Sequence, residues 1–353
     1  MKRLVLCLDG TWNRADQPSP TNVVMTVVRT AKRDGQTVQI GYYDQGVGTG
    51  NVLDRFTGGA FGEGLEDNIN DAYRFLIGNY ELGDELYLFG FSRGAYTARS
   101  LAGMIRKCGI LKRASAREYA AAVALYRNAE HPDDPGPTAF RQQHSMAGSG
   151  RIEIRFIGVW DTVGALGIPL RGLRWLTRRE YQFHDTELSG SVKFAYHALA
   201  VDEHRAPFAP TLWTYKPKDG QTVEQTWFCG AHSDVGGGYA QRGLSDITLT
   251  WMLGKARATG LVLDSDAMAA YALNPDARGT LHNSKTGLYW LTRGLDRQIG
   301  VATPGRDADA APILDPTQAV HESVRQRWDA DPTYRPKSLA SYFKLVRDPR
   351  ALG

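Results

Sequence analysis

Leu86-Tyr87-Leu88-Phe89-Gly90-Phe91-Ser92-Arg93-Gly94-Ala95-Tyr96-Thr97 changes character at Ser92. Up to that point it is a continuous apolar run of strand length, and from Ala95 to Cys108 the apolar residues recur at helical spacing. The junction reads G-x-S-x-G. A strand that turns at a serine straight into a helix needs small residues on both sides, because a side chain there would collide with the neighbouring strand or helix. Such a turn holds the serine oxygen above the sheet, and the N–H of Arg93 then stands at a helix N-terminus as an oxyanion donor. The plainer reading is a glycine-rich turn whose serine caps the helix.

Four further apolar runs end in polar clusters in the same way. They are Leu4 to Leu8 before Asp9-Gly10-Thr11, Val38 to Tyr43 before Asp44, Ile152 to Trp160 before Asp161, and Thr226 to Cys229 before Gly230-Ala231-His232. Runs this continuous predict strands buried on both faces, and helical patterns over 21–32, 64–80 and 95–108 between them predict βαβ units with a parallel sheet. Ligands of such sheets bind beyond the carboxyl ends of the strands, so the polar clusters are expected around one crevice. The expected fold class is α/β, an α/β-hydrolase-like mostly parallel sheet with helices on both faces and inserted cap segments. Residues 1–260 read as the core, with insertions at about 112–150 and 165–220, and 261–353 as a helical and loop extension packed on it. The glycine-rich stretch 46–64 matches no phosphate-binding pattern and reads as a mobile loop bordering the crevice.

Composition narrows the class. The chain has 353 residues, 42% of them hydrophobic and 23% charged, which supplies a sizeable core and excludes disorder. No apolar stretch approaches the roughly 18 residues of a membrane-spanning helix. The run after Met1-Lys2-Arg3 is stopped by Asp9 before a cleavage site develops, so a strand is expected there and the chain is expected to be cytoplasmic as synthesised. Three cysteines without CxxC spacing argue against a disulfide framework or structural zinc. A formal charge of +4 is too small a surplus to predict a nucleic-acid partner.

A serine at its ordinary pKa is a weak nucleophile and needs a base with an acid behind it, which α/β-hydrolases supply in the order Ser, acid, His. Asp161 and His232, each just past a predicted core strand, are the members expected to join Ser92. Asp202 is the reserve acid, in a segment from His197 to Arg205 that looks helical, and His204 and His321 are the competing bases. His131, His144, His184 and His282 read as surface or loop residues, and Asp234 as a turn residue. The second oxyanion donor is expected from Gly10 or Thr11, after the first strand. Asp9-Gly10-Thr11 also suggests an aspartate phosphatase, but that nucleophile would stand at position 7, which is Cys7. The acidic residues Asp9, Asp44, Asp161 and Asp234 show no diagnostic metal-ligand spacing, and neither a metal nor a cofactor is expected.

Taken jointly, Leu8-Asp9-Gly10-Thr11-Trp12-Asn13, Thr21-Asn22-Val23, Gly90-Phe91-Ser92-Arg93-Gly94-Ala95, Val159-Trp160-Asp161-Thr162-Val163, His197 to Arg205 and His232-Ser233-Asp234-Val235-Gly236-Gly237-Gly238-Tyr239 resemble one family. It is the α/β-hydrolase domain family that includes the type VI secretion lipase effectors of the first class, which are bacterial phospholipases. The resemblance covers roughly residues 1–260. It implies a Ser-Asp-His triad, carried here by Ser92, Asp161 and His232 with Asp202 in reserve, and it makes export by a specialised secretion system an expectation.

The leading expectation is a serine ester hydrolase, lipase- or phospholipase-like or a carboxylesterase, acting on a small-molecule or lipid ester. The alternatives are a non-catalytic binding protein of the same fold and a metal-assisted hydrolase. Between Arg171 and Phe183, Arg171, Arg174, Arg178 and Arg179 are interleaved with Leu173, Trp175 and Leu176 and followed by Tyr181. That segment reads either as a basic helix packed on the core or as a peripheral contact with an anionic lipid surface.

Overall fold

The computed structural model describes residues 1–10, 13–46, 58–164, 188–214, 218–285, 294–302 and 313–352, with backbone alone at 58–63 and 352. Strand β1 (Lys2–Leu8) lies between β3 (Thr37–Asp44) and β4 (Glu85–Phe91) and runs parallel to both. Beyond β4 follow β5 (Ile154–Trp160), β6 (Val192–Ala200), β7 (Thr222–Phe228) and β8 (Gln318–Val320), each parallel to the last. The short edge strand β2 (Arg33–Asp34) pairs antiparallel with β3. The fold is α/β, an eight-stranded, mostly parallel sheet in the order β2-β3-β1-β4-β5-β6-β7-β8 with helices on both faces.

A parallel sheet must be covered on both faces, and the alternation along each strand decides which residue goes where. Val5, Cys7, Tyr87, Phe89, Phe91, Phe156 and Trp160 join a core with α1 (Asn22–Arg29), α7 (Gly243–Ala258), α9 (Glu322–Ala330) and α10 (Lys337–Leu345). Leu4, Leu6, Leu8, Leu86, Leu88, Ile157 and Val159 face the other way, toward α2 (Gly58–Asn79), α3 (Arg93–Cys108) and α4 (Tyr119–Arg127). Phe156 is fully buried among the rings of Tyr87, Phe89 and Tyr196. Cutting it to alanine would cost about 3–5 kcal/mol. The remaining α-helices among the described residues are α5 (Pro135–His144), which packs on α3, α6 (His232–Gly236) and α8 (Ser265–Ala270). The three cysteines are buried free thiols.

Two segments differ from the sequence reading. The stretch from His197, expected to be helical, is the end of β6 as far as Ala200. That strand lies between β5 and β7, inside the region expected to be an insertion at 165–220. Its alanines weaken strand propensity, but pairing along both edges and burial on both faces override that preference. The tail, expected as an extension on the core, also supplies β8 to the sheet edge, where Trp227 donates from its indole nitrogen to Gln318 Oε1 at 3.0 Å. Most of the glycine-rich loop lies outside the described residues, as does the whole basic segment 171–183.

Candidate active site

Ser92 follows β4 directly, with φ 59° and ψ −118°. A non-glycine residue held there stores on the order of 1–3 kcal/mol of strain and persists only where its surroundings enforce it. The enforcement is visible on both sides. The Ser92 N–H donates to the Trp160 carbonyl at 3.0 Å, and α3 begins at the next residue. A Cβ on Gly90 would lie 2.4 Å from the Gly94 carbonyl oxygen, and one on Gly94 would lie 2.1 Å from that of Leu8. Both glycines of the G-x-S-x-G are therefore demanded by backbone approach.

His232 opens α6, just past β7. Gly230 before it has φ +116°, and a Cβ there would meet that of Asp234 at 2.3 Å. Asn22, fully buried at the start of α1, donates from Nδ2 to the carbonyl of Val235 at 3.0 Å and to that of Ser245 at 3.1 Å, tying α6 and α7 to α1. The imidazole lies between the rings of Phe91, 4.6 Å away, and Phe208, 4.9 Å away. With the proton on Nδ1, His232 donates to Asp161 Oδ2 at 2.6 Å, and its Nε2 accepts from the Ser92 hydroxyl at 2.8 Å. Three residues from the ends of β4, β5 and β7 are thus bonded in series.

Asp161 has φ 39° and is wholly buried. Its carboxylate accepts the Ala200 N–H at 3.0 Å and two hydrogen bonds from Arg297, at 2.5 and 3.0 Å. Burial opposes its ionisation, but the Arg297 guanidinium and His232 outweigh this and hold the carboxyl well below the usual carboxylate range. Arg297 is itself 3% exposed and also donates to the carbonyls of Ala200 and Phe208. The Thr162 N–H, next to Asp161, donates to Nε2 of the buried His197 at 3.1 Å.

Other acidic residues brace the same loops. Glu203 accepts the His232 N–H at 3.3 Å, hydrogen bonds from Arg205, and the Ser284 hydroxyl at 2.9 Å. Asp234 accepts the N–H groups of Ala231 and His282 and the His282 Nδ1–H, the last at 2.6 Å. It is a bracing residue rather than a mere turn residue, and His282 belongs to the site's surroundings. Asp202 accepts the Gly230 N–H at 2.7 Å and the Tyr334 hydroxyl at 2.8 Å, so its carboxylate is engaged away from the His232 ring.

The competing histidines stand elsewhere. His204 lies beside the Leu295 carbonyl and Asp296, and His321 caps α9 while stacking on Phe228. Asp9 accepts from Thr21, Tyr43, Asn13 and the Gly10 N–H; burial, against those donors, leaves its pKa raised to about 6. The Gly10 N–H, expected as an oxyanion donor, is thereby bonded to the Asp9 carboxylate at 2.7 Å. Thr11 lies outside the described residues, and Arg93 opens α3 beside the serine. Among the described residues no three His, Cys, Asp or Glu side chains form a group that could hold a metal ion. Nor is any described helix long and apolar enough to cross a membrane.

A family model described as "T6SS, Phospholipase effector Tle1-like, catalytic domain" matches residues 2–255. The chain belongs to this Tle1-like catalytic-domain family. An uncharacterized protein of Saccharomyces cerevisiae is 28% identical over 236 residues, covering 61% of this chain and 33% of its own length. Among solved structures, an uncharacterized protein from Pseudomonas aeruginosa is 18% identical with a TM-score of 0.46, over 77% of this chain and 49% of that one. A Tle1 effector bound to the VgrG spike of the type 6 secretion system is 23% identical with a TM-score of 0.40, over 68% and 52%. The chain therefore spans about a third of the length of the curated relative and about half of the solved chains.

Within the Tle1-like match lie Ser92, Asp161 and His232; beyond it lie Arg297, His282, Ser284 and Tyr334. Sequence reasoning missed these four as contributors. No periodicity or motif marks a single arginine in the loop Gly294-Leu295-Asp296-Arg297, whose partner is 136 positions away.

Proposed function

We propose that the chain is a serine hydrolase of carboxylic esters, with phospholipid as the substrate class that its Tle1-like family membership suggests. The observation that supports this most directly is the hydrogen-bonded series Ser92–His232–Asp161 beyond the carboxyl ends of the central strands. In the proposed cycle His232 Nε2 takes the hydroxyl proton as Ser92 Oγ attacks the acyl carbonyl. The imidazolium so formed is stabilised by Asp161, which also fixes the Nδ1–H tautomer. The Arg93 N–H, in the first turn of α3, meets the developing oxyanion. His232 then protonates the departing alcohol. Water, deprotonated by the same imidazole, releases the acyl group from Ser92.

The test uses a fluorophosphonate, p-nitrophenyl esters of graded chain length and phosphatidylcholine vesicles. Wild type should be labelled at Ser92 and release fatty acid from the vesicles, and Ser92→Ala should do neither while remaining folded. Undiminished ester hydrolysis by Ser92→Ala would overturn the mechanism. Cleavage of soluble short-chain esters alone would leave a carboxylesterase and remove the phospholipid.

A further inference from the structure

The acid of the series is wholly buried, and a carboxylate so placed loses its hydration. Beside the His232 ring and the Ala200 N–H, the compensation comes from Arg297. Arg297 presents two N–H groups to the two oxygens of Asp161, at 2.5 and 3.0 Å, and its remaining contacts run to the carbonyls of Ala200 and Phe208. Ala200 ends the strand beside β5, and the Phe208 ring stands edge-on to His232. The guanidinium therefore ties the acid, the neighbouring strand end and the wall of the imidazole pocket into one rigid unit.

We propose that Arg297 is a positioning residue of the site, acting through Asp161. Its bidentate grip sets the plane of the carboxylate so that Oδ2 meets the His232 Nδ1–H, and its charge replaces the water that burial removes. This rests on the hydrolase reading above. Among the described residues, the other charged or titratable groups facing Asp161 are His232 from α6 and His197 from β6, with Glu203 behind His232. Burial, together with Arg99, pushes the His197 pKa down to about 3, so it is neutral and supplies no countercharge. Arg297 lies outside residues 2–255, so the working site of this chain extends past the part matched by the family model.

The sign of the pH effect follows. Without Arg297, desolvation raises the Asp161 pKa; the carboxyl then takes up a proton at a higher pH and no longer serves the Nδ1–H. Activity should fail sooner as pH falls.

Two variants carry the test, Arg297→Ala and Arg297→Lys, the lysine keeping charge and most of the volume while losing the two-pronged geometry. At matched folded fraction, judged by near-ultraviolet circular dichroism, fluorophosphonate labelling at pH 7 should fall about 100-fold in Arg297→Ala, the scale of a roughly 1 Å misplacement. The acidic limb of its pH profile should move upward, and millimolar guanidinium should restore part of the rate. A wild-type rate and profile in either folded variant would overturn the proposal, as would a loss equal at every pH that guanidinium does not relieve.

A second readout needs no turnover, namely the downfield proton resonance of His232 Nδ1–H in Ser92→Ala. It should disappear at a higher pH when Arg297→Ala is added. If it does so while the wild-type serine proves unreactive, the hydrolase reading falls and the coupling of Arg297 to Asp161 stands; if it does not, the coupling falls.

Discussion

Gly94 lies so close to the end of β1 that a Cβ would sit 2.1 Å from the carbonyl oxygen of Leu8 and 2.5 Å from that of Asp9. Backbone cannot yield there without pulling β1 away from the serine turn. Gly94→Ala is expected to destabilise the protein by several kcal/mol, about the upper range of single substitutions, and to abolish labelling of Ser92. Gly254, exposed within α7 with nothing within 4 Å of its built Cβ, is the control. Gly254→Ala should raise stability by about 0.5–1 kcal/mol in urea titrations.

Strain at Ser92 predicts a trade between stability and chemistry. Both Ser92→Ala and Ser92→Gly lose the nucleophile, but glycine accepts φ 59° without cost. After allowing for the extra freedom of an unfolded glycine, Ser92→Gly should be the more stable of the two by about 1 kcal/mol. Equal melting temperatures would mean that the turn is unstrained.

Asp161 and Asp202 separate cleanly in prospect. Asp161→Asn removes the negative charge and sets an amide N–H against His232 Nδ1, which favours the wrong tautomer, so turnover should fall by roughly 10⁴-fold. Asp202→Asn disturbs only the bonds to the Gly230 N–H and Tyr334, so it should cost stability and less than about 10-fold in rate. Parallel kcat/KM measurements at equal folded fraction check the order.

Asp44 offers a test by pH. Burial and the nearby Asp71 raise its pKa to about 7, and its Oδ2 is buried with no partner among the described residues. A carboxyl whose folded pKa stands above its unfolded value favours the folded state at low pH, and that advantage is lost as pH rises from about 4 through 7. Asp44→Asn has no such charge to bury. Its stability relative to wild type should improve between pH 5 and pH 8 by on the order of 2 kcal/mol, measured by urea denaturation at both. A constant difference would show that Asp44 titrates normally.

The legible parts of the molecule were those with a local pattern. β1, β4 and β5 could be read because Leu4 to Leu8, Leu86 to Phe91 and Ile152 to Trp160 are unbroken apolar runs, as a strand covered on both faces requires. Ser92 could be read because its glycines answer to contacts within a few residues and to one adjacent strand. β6 escaped because Ala195, Ala198 and Ala200 pack well only between two particular neighbours, a fact of tertiary context. β8 is three residues long and carries no period. Arg297 escaped for a stronger reason: its role exists only once Asp161 and the Ala200 and Phe208 carbonyls have converged on it.

That convergence has a temporal side. Arg297 follows Asp161 by 136 positions, and at synthesis rates of about 5–20 residues per second it emerges many seconds after the central strands. During that interval Ser92 can already be bent at its turn, while the acid behind the histidine has no countercharge. Docking of that trailing portion is then the step that gives Asp161 the Arg297 charge, after the serine turn is already in place.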